Sequence, residues 1–185
     1  MRKVAGIFYE VIAQSRLQRS MFLKLILMVK LEKRKGLKTL PQWYSSHLLM
    51  RNPSLEAAHQ QVLGQWLTVK IQPKKTLEYT DDGLQSIEPD VFYVPSLDNQ
   101  IAFDSFILLD DLLYIFQMTI TSSHDINQGL IAVANSYSFP PREKWQFVFM
   151  IPPNLTLLVP QPWKLNLQNL LPYLVVVHAD EAELQ

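Results

Sequence analysis

Val4, Ile7, Phe8, Val11 and Ile12 recur at three- and four-residue spacing, which predicts an amphipathic helix at the start of the chain. On that wheel Glu10 falls at the margin of the apolar stripe, beside Gly6 and Gln14, and not at its solvent-facing centre. Gly6 has no side chain, so another element can approach closely there. The run from Met21 to Lys30 reads equally as strand or helix, and the charge run Lys33, Arg34, Lys35, Gly36 ends it as a solvated loop. Residues 46 to 65 predict a second helical stretch, reopened at Pro53 after Asn52. Trp66 to Ile71 then alternates as a strand that Pro73 stops.

From Asp90 onward the pattern is mainly β. Val91 to Val94 forms a short apolar run ended by Pro95, Ile101 to Leu109 a second strand, and Leu112 to Thr121 a third. Asp125 or Asn127 can cap a helix over residues 126 to 138, ended by Phe139 and Pro140-Pro141. Trp145 to Ile151 is a near-continuous apolar strand, and Leu171 to Val177 adds a late one interrupted near Pro172. The expected fold class is therefore α/β: helix, insertion, three strands, helix, strand, with helices against a central sheet. Residues 1 to 178 read as one domain, and residues 179 to 185 as an acidic tail that frays.

The two central strands meet across Asp110-Asp111, and a tight turn there sets opposing residues at numbers summing to 221. Asp104 then faces Gln117, Ala102 faces Thr119, and Asp104, Gln117, Thr119 and Thr121 share one side of the sheet. A slip of one place would flip one set to the other face. An aspartate and a glutamine inside apolar strands need a hydrogen bond, a metal or water. Either they satisfy each other and nearby backbone, or they offer oxygen ligands to a hard cation, Mg²⁺ or Mn²⁺.

Composition narrows the chemistry. The chain has no cysteine, which removes disulfides, thiolate zinc sites and cysteine nucleophiles together. Formal net charge is zero, yet residues 1 to 60 carry eleven Lys and Arg against three Glu, and the remainder six against fourteen. A basic half can track a phosphate backbone while an acidic half supplies carboxylates, or the two halves are solvated faces that neutralise one another. The N-terminus does not read as a signal peptide, and the apolar stretch Met21 to Leu31 is too short to span a bilayer, so no membrane partner is expected.

The segments YVPSLDNQIAFDSFI, LYIFQMTI, SSHDINQGL and KWQFVFMIPP resemble the nuclease-like C-terminal domain of Crinkler effectors and related retrotransposon-hot-spot-type proteins of fungi and oomycetes. AGIFYE resembles the glutamate-bearing first helix of those domains. The resemblance covers roughly residues 1 to 19 and 88 to 153. It implies a restriction-endonuclease-like, PD-(D/E)XK core with a helical insertion after the first helix. Under it Glu10 matches the helix carboxylate, Asp104 the metal-ligating aspartate, and Gln117 the first acidic position of the third strand. Thr119 takes the place of the lysine.

The resemblance implies metal-dependent phosphodiester hydrolysis of DNA or RNA, with Glu10, Asp104 and Gln117 holding weakly bound Mg²⁺ or Mn²⁺. Gln117 and Thr119 depart from the family pattern, leaving two carboxylates and no lysine. His124 and Lys144 are the candidates to replace that lysine and contact substrate, whereas His47, His59 and His178 show no ligand-like spacing. The alternative is a catalytically inactive effector or binding module of the same fold acting on host protein or nucleic acid. The expected location is intracellular or nuclear, with the host nucleus included.

Overall fold

The computed structural model describes residues 2–31, 42–44, 66–80, 84, 86–96, 102–127, 129–160, 170 and 172–177. The chain opens with helix α1 (Arg2–Leu17), followed by strands β1 (Met21–Leu27), β2 (Val29–Leu31), β3 (Gln42–Tyr44), β4 (Trp66–Ile71) and β5 (Lys75–Tyr79). Strands β6 (Val91–Pro95), β7 (Ser105–Leu109) and β8 (Leu112–Met118) come next, then helix α2 (Gly129–Ser136). A 3₁₀ turn (Arg142–Lys144) leads into β9 (Trp145–Ile151), β10 (Leu158–Pro160) and β11 (Pro172–Val176).

Among the described residues these strands form an eight-stranded mixed sheet in the order β4-β1-β11-β9-β8-β7-β6-β5, and a three-stranded sheet in the order β10-β3-β2. The edge strands β4 and β5 are consecutive in the chain, joined only by Gln72, Pro73 and Lys74. Eight strands laid flat would separate those edges by roughly 34 Å, whereas the connection spans roughly 14 Å at most. The sheet must therefore curl until its two ends approach.

The cleft between the ends confirms which way it curls. Leu67 and Val69 of β4 line the same cleft as Leu109, Leu112 and Tyr114 from the β7–β8 hairpin. On this concave side Leu23, Leu25, Ile71, Phe92, Ile107, Phe116, Val148 and Val175 converge from seven strands, and Ala13 and Leu17 of α1 pack among them. The convex side carries Phe103, Phe106, Ile115, Phe147 and Phe149, covered by Leu130 and Ala134 of α2 and by Val159 of β10. Phe106 lies at its aromatic centre, stacked on Tyr93 and edge-on to Tyr79, Phe103 and Phe139.

This architecture corrects the expected fold class. A restriction-endonuclease-like core of helix, three strands, helix and strand with a helical insertion is replaced by a curled eight-stranded sheet with two α-helices among the described residues. The described part of the supposed insertion, residues 20–31 and 42–44, is mostly sheet. Met21 to Leu27 has alternating burial, with Leu23 and Leu25 inside and Phe22 and Lys24 outside, so its two-residue period is satisfied by pairing with both β11 and β4. The loop expected at residues 33 to 36, the helix at 46 to 65 and the tail at 179 to 185 lie outside the described residues.

The face of α1 also differs from expectation. Ile7 and Val11 are 56% and 59% exposed, while Ala13 and Leu17 are buried and Gly6 sits against Ile120, 3.6 Å from where a Cβ would be. At Gly6 the helix approaches Ile120 closely, because no side chain stands between them. The late strand begins at Pro172, a place where its missing N–H costs little. No described helix is long and apolar enough to cross a membrane.

Candidate functional site

The β7–β8 hairpin has the register that the Asp110-Asp111 turn implies: Ser105 opposes Phe116 and Phe106 opposes Ile115. Asp110 and Asp111 have φ of 47° and 65°, both in the left-handed region that a two-residue type I′ turn requires. One step beyond the last pair, Asp104 stands opposite Gln117, and its N–H donates to the Phe116 carbonyl at 2.9 Å. Gln117 Nε2 donates to Asp104 Oδ2 at 2.8 Å, and the Met118 N–H donates to the same oxygen. The cross-strand pair read from the sequence thus forms, with the amide acting as donor to the carboxylate.

Glu10 reaches this point from α1. Gln14, one helical turn on, donates Nε2 to Glu10 Oε1 at 3.4 Å and to the Asp104 carbonyl at 3.5 Å, both at the outer limit of a hydrogen bond. The docking of Gly6 on Ile120, just past the end of β8, sets the height at which Glu10 meets the strand ends. Gln14 was not among the candidate site residues, although its four-residue separation from Glu10 is the signal that could have identified it.

The electrostatics follow from that convergence. Burial pushes the Asp104 carboxyl up from its ordinary 3.8 to about 7; the Met118 N–H pulls it down, and the neighbouring Glu10 carboxylate pushes it up again. Near neutrality Asp104 is poised between its charged and neutral forms. On the same helix burial holds the Tyr9 phenol above its ordinary range, with Arg16 acting in the opposite sense, and the Tyr9 hydroxyl is buried without a hydrogen-bond partner among the described residues.

The other candidate residues separate into near and far. Thr119 is buried beyond the end of β8; its Oγ1 lies 2.8 Å from Thr121 Oγ1 and accepts the Thr121 N–H at 3.1 Å, closing a local turn. His124 packs edge-on to Phe149 at 5.9 Å between ring centroids, and Phe149 is the register partner of Gln117 on β9. Its Nδ1 lies 2.9 Å from the Asp125 carbonyl oxygen. Lys144 is at the opposite end of the sheet, 3.4 Å from Asp111 of the hairpin turn. In the β8–β9 register it sits five residues before the level of Gln117, about 16 Å away, too far to serve the Asp104 cluster. Asn127, not Asp125, caps α2, its Oδ1 accepting the Gly129 N–H at 2.7 Å.

No group of three or more His, Asp or Glu among the described residues is placed to hold a metal. Glu10 and Asp104 nevertheless supply two hard carboxylates, and a magnesium-type ion that keeps several waters is held by one or two of them. Gln117 could contribute its carbonyl oxygen only if its amide turned away from the bond to Asp104. Comparison of the chain with family models, with curated proteins and with solved structures finds no match.

Proposed function

We propose that the chain hydrolyses phosphodiester bonds of nucleic acid at the cluster of Glu10 and Asp104, with Mg²⁺ or Mn²⁺ as cofactor. The observation that carries this reading is the convergence of two carboxylates from elements far apart in sequence, one of them raised to about 7 by burial and by the other. Such a pair opposes its own joint ionisation, and a divalent cation between the two would remove that cost. The donor set is all oxygen and suits a hard ion. A bound cation would stabilise developing charge on phosphate and lower the pKa of a bound water.

The chain's own residues have distinct tasks. The N–H groups of Gln117 and Met118 fix Oδ2 of Asp104, so Oδ1 is the oxygen outside those bonds and the one suited to ligation. Gln14 orients Glu10 toward the strand ends. His124 stands at the level of Gln117 against Phe149 on the convex face and is the candidate to carry a proton to a leaving group, while Thr119 and Lys144 are committed elsewhere.

Purified protein incubated with plasmid and with structured RNA in Mg²⁺ or Mn²⁺ is the direct test. Cleavage is expected, and Asp104→Asn and Glu10→Gln should each abolish it. A second reading, a non-catalytic binding module, draws support from the mutual satisfaction of Asp104 and Gln117. Calorimetry separates the two: a divalent-ion site lost in Asp104→Asn supports hydrolysis, and absence of both site and cleavage supports the module.

A further inference from the structure

Among the described residues, the cover on the convex side of the sheet stops partway along β1. Ile26 still packs against the aromatic cluster beneath α2. Two and four residues earlier on the same strand face, Lys24 and Phe22 are exposed, Phe22 to 69%. The β1–β4 register sets Phe22 opposite Lys70 and Lys24 opposite Thr68, and all four positions are exposed. Opposed side chains in such a ladder lie about 5 Å apart at Cβ, so the Phe22 ring is flanked by two ammonium groups on one surface. Arg19 and Ser20, also exposed, extend this surface at the turn into β1.

We infer that the outer face of β1 and β4, centred on Phe22 with Lys24, Lys70 and Arg19 around it, binds single-stranded nucleic acid. An unpaired base stacks on the exposed ring, and the cations engage the phosphates on either side. A duplex hides its base faces, so Phe22 has nothing to stack on there. A second copy of this chain is disfavoured as the occupant, because a two-fold contact would press Lys24 and Lys70 against their own copies. This face goes beyond the hydrolytic reading and is independent of it, being on the side of the sheet opposite α1.

The test is fluorescence anisotropy with labelled oligo-dT and oligo-U of about 16 nucleotides, in EDTA so that no divalent ion takes part. Wild-type protein should bind both, and Phe22→Ala should weaken binding about tenfold while Phe22→Trp retains it. The double variant Lys24→Gln/Lys70→Gln should flatten the slope of log affinity against log salt by about 1.4. Phe22 is largely exposed, so circular dichroism should show Phe22→Ala folded as wild type. Failure of the wild type to bind, unchanged binding by Phe22→Ala, or equal binding of duplex overturns the inference. So does Phe22-dependent self-association in the ultracentrifuge, or preference for polyglutamate over the oligonucleotides. Binding without cleavage removes only the hydrolytic reading, and cleavage with binding unchanged in Phe22→Ala removes only this one.

Discussion

Replacing Asp104 by asparagine should make the protein more stable at alkaline pH and leave its stability nearly unchanged in acid. In the folded chain the carboxyl holds its proton with a pKa of about 7, against 3.8 without the fold. Between those values the folded state binds a proton that the unfolded state has released, so stability falls as pH rises. The favourable contribution is complete below 3.8, declines through the interval and is gone above about 7, amounting to about 4 kcal/mol over the whole range. That figure is an upper bound, because water reaching a partly buried carboxylate reduces it. Asparagine offers Gln117 Nε2 and the Met118 N–H a neutral acceptor at every pH, so the variant lacks the decline. Urea unfolding followed by tryptophan fluorescence, at about pH 5 and about pH 8, gives the comparison. Titrating groups remote from Asp104 contribute equally to both proteins and cancel in the difference. The variant should gain on wild type by up to about 3 kcal/mol between the two conditions. A difference that does not change with pH, or a variant less stable than wild type at pH 8, refutes the assignment of an uncompensated carboxylate at this place.

Glu10→Gln removes a lesser cause of the Asp104 shift and leaves burial, the first, in place; the Asp104 pKa should drop yet stay above 3.8, as read by carbon-detected NMR titration. Asp111→Gly relieves a left-handed φ of 65° and gives up only an exposed contact with Lys144, so the urea midpoint should rise by an amount equivalent to about 1 kcal/mol. Gly6→Ala places a methyl at ordinary contact distance from Ile120 and should stabilise α1 by about 0.5 kcal/mol, measured by thermal melting. Gly6→Leu cannot fit there without lifting the helix, and should cut divalent-ion affinity at Glu10 and Asp104, measured by calorimetry, whereas a surface variant with the same drop in melting temperature should leave that affinity unchanged.

The parts of the molecule that were legible in the sequence are those fixed by local pattern. The hairpin register followed from two aspartates between apolar runs, and a cap at Asp125 or Asn127 from the capping preference of both residue types, between which only the structure decides for Asn127. Strand β5 was missed because KTLEY is mostly exposed at the edge of the sheet and carries no continuous apolar run. The phase of α1 was misjudged because a wide apolar set hides which part docks; contact with Ile120 decides it, and Ile120 is remote in sequence. The fold class failed for the same reason on a larger scale. Met21 to Leu27 becomes a strand by pairing with residues near 70 and near 174, information that no window around it contains. The Glu10–Asp104 approach depends on that packing too, so spacing could suggest it but not fix it.

The orientation of α1 bears on what the cluster is for. Turning the helix by about one residue, roughly 100°, would carry Ile7 and Val11 toward the sheet and Ala13 and Leu17, now buried, away from it. Half-burying two such side chains is worth about 1 to 2 kcal/mol, and exposing Leu17 would cost a similar amount. Apolar burial alone therefore does not decide the phase of the helix. The observed one leaves two large apolar side chains in solvent, buries the Tyr9 hydroxyl without a partner among the described residues and sets Glu10 near Asp104. Under the hydrolytic proposal, a cation between Glu10 and Asp104 would offset the mutual repulsion of the two carboxylates.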